Sequence, residues 1–159
     1  HRSVSLDLGS VRLTERFLTS DPVREEECAE LIRIIDSELD TLPVRWQIEG
    51  RFRAMVGIAG TFTTLAAIEK RLRRYSHSEV HGSRLNRAVV QRQIQLFKGK
   101  SVAERREIPG LEPKRADVIL AGALLIDRIM VLFRMDEVTV SDQGIRYGLL
   151  HERLSAIDG

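Results

Sequence analysis

The chain has 159 residues, 43% of them hydrophobic, which is enough for one domain with a core of its own and excludes a disordered chain. Its 25 Lys and Arg against 23 Asp and Glu leave a formal charge of only +2, so no broad positive field is available to hold duplex DNA. Charges such as Asp127 and Arg128 interrupt the longest apolar stretches and argue against a membrane span, while the lone Cys28 permits no internal disulfide and fits a reducing cytoplasm.

The chain starts at His1 in place of methionine, and the expectation is that preceding sequence has been removed. Val4, Leu6 and Leu8 alternate with Ser5 and Asp7 at the period of a strand, and Gly9-Ser10 turns into a short amphipathic segment from Val11 to Leu18. Asp21-Pro22 reads as an N-cap with a first-turn proline, opening a long helix whose inner stripe is Cys28, Leu31, Ile32, Ile35, Leu39 and Leu42. Beyond Pro43, Phe52 to Ile58 is a β-capable run ending in small residues, and Leu65, Ala66, Ile68 and Leu72 continue as helix. Arg74 to Arg84 has little periodicity and reads as an exposed connection with one short extended piece.

Asn86 is placed to cap a helix facing inward through Val90, Ile94 and Phe97. Ser101 and Glu104 have the spacing of a capping box for a brief helix ending near Ile108. Pro113 starts the most apolar helix, roughly Lys114 to Arg134, which is predicted to be central, with Gly122 allowing close packing. Val138 and Val140 mark a last strand, and Gly144 to Leu154 a closing amphipathic helix. The pattern predicts one α/β domain over residues 1–159, a central sheet flanked by helices.

Chemistry concentrates at Val56-Gly57-Ile58-Ala59-Gly60-Thr61-Phe62-Thr63-Thr64, where a strand runs through small residues into a threonine-bearing helix. Glycines let the backbone approach an anion, the helix start offers unpaired N–H groups, and Thr61 or Thr63 adds a hydroxyl donor. A plain strand-to-helix turn favours the same residues, and spacing alone leaves both readings open. No Gly-Lys-Ser/Thr follows, so this is not a Walker loop.

Other combinations are weaker. His77 and His81 stand four apart, as metal ligands on a helix would, but the serines and glycine around them favour an exposed pair in a loop. Lys70-Arg71-Leu72-Arg73-Arg74 fits the dipole at a helix end better than a dedicated polyanion site. Ser141, Asp142 and His151 include the residue types of a hydrolytic triad without a nucleophile elbow around the serine, and strand-to-helix caps account for the first two.

Four stretches carry a resemblance: SLDLGSVRLTERFL from Ser5, VGIAGTFTTLAAIEK from Val56, REIPGLEPKRADVILAGALLIDRIM from Arg106, and SDQGIRYGLLHERL from Ser141. In their order and spacing the chain resembles the exopolyphosphatase and guanosine-pentaphosphate phosphohydrolase family, a branch of the actin-like ATPase and sugar-kinase superfamily. The resemblance implies a ribonuclease H-like/actin-like ATPase fold, here most of the second domain of a two-domain hydrolase. Such an enzyme removes terminal phosphate from inorganic polyphosphate or guanosine pentaphosphate with Mg2+. The first domain, with its phosphate loop and water-activating glutamate, and a glycine-rich hairpin of the second domain would lie outside this chain.

The resemblance therefore assigns no catalytic residue and no metal ligand here, and makes Gly57, Ala59, Gly60 and Thr61 the phosphate-binding loop. Ala59 replaces a glycine usual in the family, and a negative φ at that position would accommodate its methyl group. Arg115 is expected either to contact phosphate or nucleotide or to pair with Glu112 in solvent. The implied partners are polyphosphate or guanosine pentaphosphate, the missing first domain and a second copy in a homodimer, with no DNA and no membrane; the implied location is cytoplasmic. The alternative reading is a nucleotide-binding regulatory or kinase-like module of the same superfamily, for which the sequence shows no apolar slot beside the loop.

Overall fold

The computed structural model describes residues 3–42 and 52–155. The elements follow the chain as helices α1 (Ser10–Phe17) and α2 (Glu25–Leu39), strand β1 (Val56–Ile58), helix α3 (Gly60–Glu69), the single turn α4 (His77–Val80) and strand β2 (Arg84–Asn86). There follow α5 (Arg87–Lys98), the short α6 (Val102–Arg105), a 3₁₀ turn (Pro113–Arg115), α7 (Ile119–Leu132), β3 (Glu137–Ser141) and α8 (Ile145–Ser155). The sheet runs β1-β3-β2, with β1 parallel to β3 (Val56 opposite Thr139) and β2 antiparallel to it (Leu85 opposite Val138).

The apolar periodicity decides the packing. α7 is buried on nearly every side, from Ile119 to Met130, and lies against α1, α2, α3 and α5 as the central helix. Its two charges, which interrupt the apolar run in sequence, are consumed by neighbouring helices. Asp127 accepts from Arg87 Nε at 2.8 Å and so pins the start of α5, and Arg128 donates to Asp36 Oδ1 at 2.6 Å across to α2. α2 presents the predicted stripe, with Cys28, Leu31, Ile35 and Leu39 buried, and burial pushes the Cys28 thiol pKa up.

Caps were legible where one side chain reaches its own helix. Asn86 Oδ1 accepts from Val89 N at 2.9 Å, and Ser101 with Glu104 forms the reciprocal box. At α2 the expectation fails: the helix opens at Glu25, and Asp21 instead accepts from Val102 N at 2.8 Å, tying this connection to α6. Glu27 caps in its place, accepting from the backbone N–H of Thr19, Ser20 and Arg24 at 2.9 to 3.1 Å. Hydrogen bonds led by the Ser20 hydroxyl hold its carboxyl far below the usual carboxylate range.

Three more expectations change. Val4 to Leu8 alternates but enters no ladder among the described residues. The apolar helix begins at Ile119, and Lys114 and Arg115 belong to the preceding 3₁₀ turn. Arg74 to Arg84 contains the α4 turn, and the extended piece β2 begins only at its last residue and runs on to Asn86. Of the run from Phe52, Val56 to Ile58 is the strand.

One buried cation links this frame to the site. Arg105 is 1% exposed and donates to the carbonyls of Phe97 at 2.8 Å and Ala116 at 3.4 Å, joining the end of α5 to the turn that carries Arg115. Burial lowers its pKa from the ordinary value.

Candidate phosphate-binding site

β1 and β3 lie side by side in parallel, and both deliver their carboxyl ends to the same edge, where binding loops of α/β proteins collect. β1 passes through Ala59 directly into α3. Gly57 is buried, and a Cβ there would fall on the Phe62 ring, so glycine is needed for the strand to lie against its own helix. Ala59, the N-cap residue, adopts φ 78° and ψ 174°, a region that is essentially reserved for glycine. The negative φ expected for its methyl group is thus not what the fold adopts; the turn geometry prevails over the side chain and leaves local backbone strain.

No side chain caps α3, and its first internal bond is the long Thr63 N to Ala59 carbonyl contact at 3.4 Å. The N–H groups of Gly60 and Thr61 therefore lie at an uncapped, partially positive helix end. The Thr63 hydroxyl does not supplement them. Thr63 Oγ1 donates to the Gly60 carbonyl at 3.1 Å, and the Thr61 side chain packs on Gly122 of α7. The loop's capacity to hold an anion is thus a backbone property, and Gly122 is small because Thr61 occupies its face.

Arg115 completes the arrangement. A Cβ on Gly60 would coincide with the Arg115 guanidinium, which places that cation flat over Gly60 at the start of α3. Its Nε also donates to Glu112 Oε2 at 3.3 Å, the pair expected of it, and this pair orients the fork over the loop. Amides, helix dipole and guanidinium together form a positively biased pocket for an oxyanion.

Beside the loop opens a cavity of about 480 Å³, lined on its apolar side by Ala67, Leu72, Tyr75, Leu111 and Pro113 and on its polar side by Thr63, Arg73, Arg115 and Asp142. It is not legible in the sequence, since its walls come from three separate stretches, Thr63 to Tyr75, Gly110 to Arg115, and Asp142. Tyr75 is the missed residue. Burial first, then its hydrogen bond to Asp142, push its pKa up, and a bond to Thr63 opposes them. Asp142 also pairs with His77 Nδ1, and its N–H donates to His81 Nδ1 at 3.3 Å. His77 and His81 are exposed, as expected, and both are bonded to Asp142; among the described residues no group of three His, Cys, Asp or Glu is arranged to hold a metal ion.

The model of the Ppx/GppA phosphatase family matches residues 1–156. The chain belongs to the Ppx/GppA phosphatase family. Exopolyphosphatase 2 of Mycobacterium tuberculosis is 34% identical over 155 residues, covering 92% of this chain and 47% of that protein. Exopolyphosphatase 1 of Mycobacterium leprae is 33% identical over 162 residues, covering 99% and 46%. The crystal structure of the Aquifex aeolicus Ppx/GppA family member superposes with a TM-score of 0.90 at 32% identity, over 100% of this chain and 50% of that one. This fixes the fold as a portion of the actin-like ATPase type. The chain spans about half the length of these Ppx/GppA relatives. Among the described residues no helix is long and apolar enough to cross a membrane.

Proposed function

We propose that this chain is the substrate-binding half of a cytoplasmic phosphoanhydride hydrolase that releases terminal phosphate from inorganic polyphosphate or guanosine pentaphosphate. The observation that carries the reading is the uncapped start of α3 with the Arg115 guanidinium laid over Gly60. There the N–H groups of Gly60 and Thr61 hold a non-transferred phosphate, and Arg115 spreads its charge over the oxygens. The rest of the substrate extends into the adjoining cavity, where further phosphates meet Arg73 or a nucleoside meets Leu72, Tyr75 and Leu111. Membership in the Ppx/GppA family and the exopolyphosphatase names of its relatives support the substrate class.

The catalytic base belongs to the first domain, outside this chain, and the chain itself is most of the second domain. Magnesium, which Ppx/GppA resemblance implies, finds no cluster of ligands among the described residues, and no step is assigned to it here. A homodimer is part of the same proposal. The isolated chain binds phosphate weakly and hydrolyses nothing; robust phosphate release from the purified 159-residue piece would refute that division of labour.

The test is phosphate release from long-chain polyphosphate by the full-length protein with magnesium, comparing wild type with Gly60→Val. A valine side chain displaces Arg115 and blocks the approach to the amides, so at least about a tenfold loss of rate is expected in a folded variant. Unchanged activity in Gly60→Val removes the loop from the substrate site.

A further inference from the structure

The C-terminal end of α3 borders a second cavity. Its volume is about 700 Å³, within the size range of small-molecule sites, and it shares no lining residue with the one beside the phosphate loop. Ile68 and Arg71 come from the end of α3 and the turn after it, Gln93 and Leu96 from α5, and Glu107 to Pro109 from the segment after α6. Arg71 takes φ 52° just past the helix end, a position that glycine usually fills, so an arginine is kept there at a cost to the backbone.

Gln93 sets the chemistry. It is 3% exposed, and its Nε2 donates to the Leu65 carbonyl at 3.1 Å, which fixes the amide, because the reversed amide would set oxygen against oxygen. Its Oε1 is then left with no donor among the described residues. An acceptor buried without a partner costs free energy that a bound N–H group would return. The charges around it divide into those already used and those not. Glu69 accepts from Arg92 at 2.6 Å, and Glu104 closes its capping box with Ser101. Arg71, Lys100 and Glu107 also line the cavity and form no ion pair among the described residues. With Glu69, Glu104 and Glu107 facing Arg71, Arg92 and Lys100, the walls carry no net charge and disfavour a polyanion.

A ligand that uses these groups carries an anion for Arg71 and Lys100, an N–H donor for Gln93 and Glu107, and an apolar part for Leu96, Ile108 and Pro109. We propose that this cavity binds a zwitterionic α-amino acid with an apolar side chain, free or in a short peptide. The carboxylate meets the two cations and the ammonium meets the two acceptors. From Pro109 the wall continues into Gly110, which lies so close to α3 that a Cβ would come within 2.3 Å of the Ala67 carbonyl, and then into the turn that carries Arg115. The bound molecule thus rests on the segment that leads to the phosphate loop. The inference is independent of which anhydride is cleaved.

Calorimetric titration of the full-length protein with leucine and with trileucine tests this. Saturable binding of at least one of them, unaffected by inorganic phosphate, is the expected result; saturation by leucine identifies a free amino acid as the occupant, and saturation by trileucine alone a peptide. Isocaproate, which lacks the ammonium group, and isoamylamine, which lacks the carboxylate, should each bind at least about tenfold more weakly than leucine, because each leaves part of the site unpaired. Arg71→Ala, at an exposed position, and Gln93→Leu, in protein whose melting temperature shows it folded, should weaken binding by about the same factor. No saturable heat from either compound overturns the proposal. So do equal affinities for isocaproate and leucine, binding that both variants retain, and binding that phosphate displaces, which would put the ligand at Gly60.

Discussion

The helical core around α7 and the corner where β1 runs into α3 are built from similar small and apolar residues, yet they are finished differently. In the core Leu120, Ala121, Ala123 and Met130 are fully buried, and the charges Asp127 and Arg128 each meet a partner. At the corner Ala59 is strained, the first amides of α3 are uncapped, and Val56 and Ile58 lie in the open. A region whose charges are paired within it has little left for a ligand or a partner. A region that leaves donors and an edge unused requires the rest of the fold to hold it in place.

The largest effect that would break this contrast is expected in the core. Leu120→Ala, at a site with no exposure, should cost about 2–5 kcal/mol in urea unfolding while leaving the phosphate affinity of the folded fraction unchanged. An affinity change would mean that the two regions are coupled. Next is Glu27, which fastens the rim of the core. Its folded pKa is depressed, so its contribution is complete above the ordinary value of 4.5 and is lost as pH falls below it. Glu27→Gln should lower stability by about 1–2 kcal/mol at pH 7 and flatten the decline of stability below pH 4.5, as measured by urea titrations across that range.

At the corner the sign reverses. Ala59→Gly should stabilise the protein by about 1 kcal/mol, because relief of the positive φ outweighs the added freedom of the unfolded chain. Thermal unfolding checks it, and a lower melting temperature would show that Ala59 is relaxed. The smallest effect belongs to neither region: Glu30→Ala removes an exposed pair with Arg33 and should leave the midpoint of urea unfolding unchanged.

Much of the core was legible because its signals are local. The stripe from Cys28 to Leu39, the Asn86 cap, the Ser101–Glu104 box and the burial of α7 each depend on residues within a turn or two of one another. The strand expected at Val4 to Leu8 was not, because alternation gives the period but cannot supply a neighbour. Asp21 misled for a related reason: its carboxylate caps α6, 81 positions away, and not the helix that follows it.

At the site, residue types and spacing were enough to place a glycine-rich turn between β1 and α3, and the order of four blocks pointed to the right family. That follows because the turn is short and its geometry needs small residues. That Arg115 lies over Gly60, that the Thr63 hydroxyl bonds within its own helix, that Tyr75 and Asp142 border a cavity, and that Ala59 takes a glycine's conformation were settled by packing across the fold. These facts depend on where α7, the 3₁₀ turn and β3 pack relative to the loop. Such distances are set by the closing of the whole core, and no local pattern encodes them.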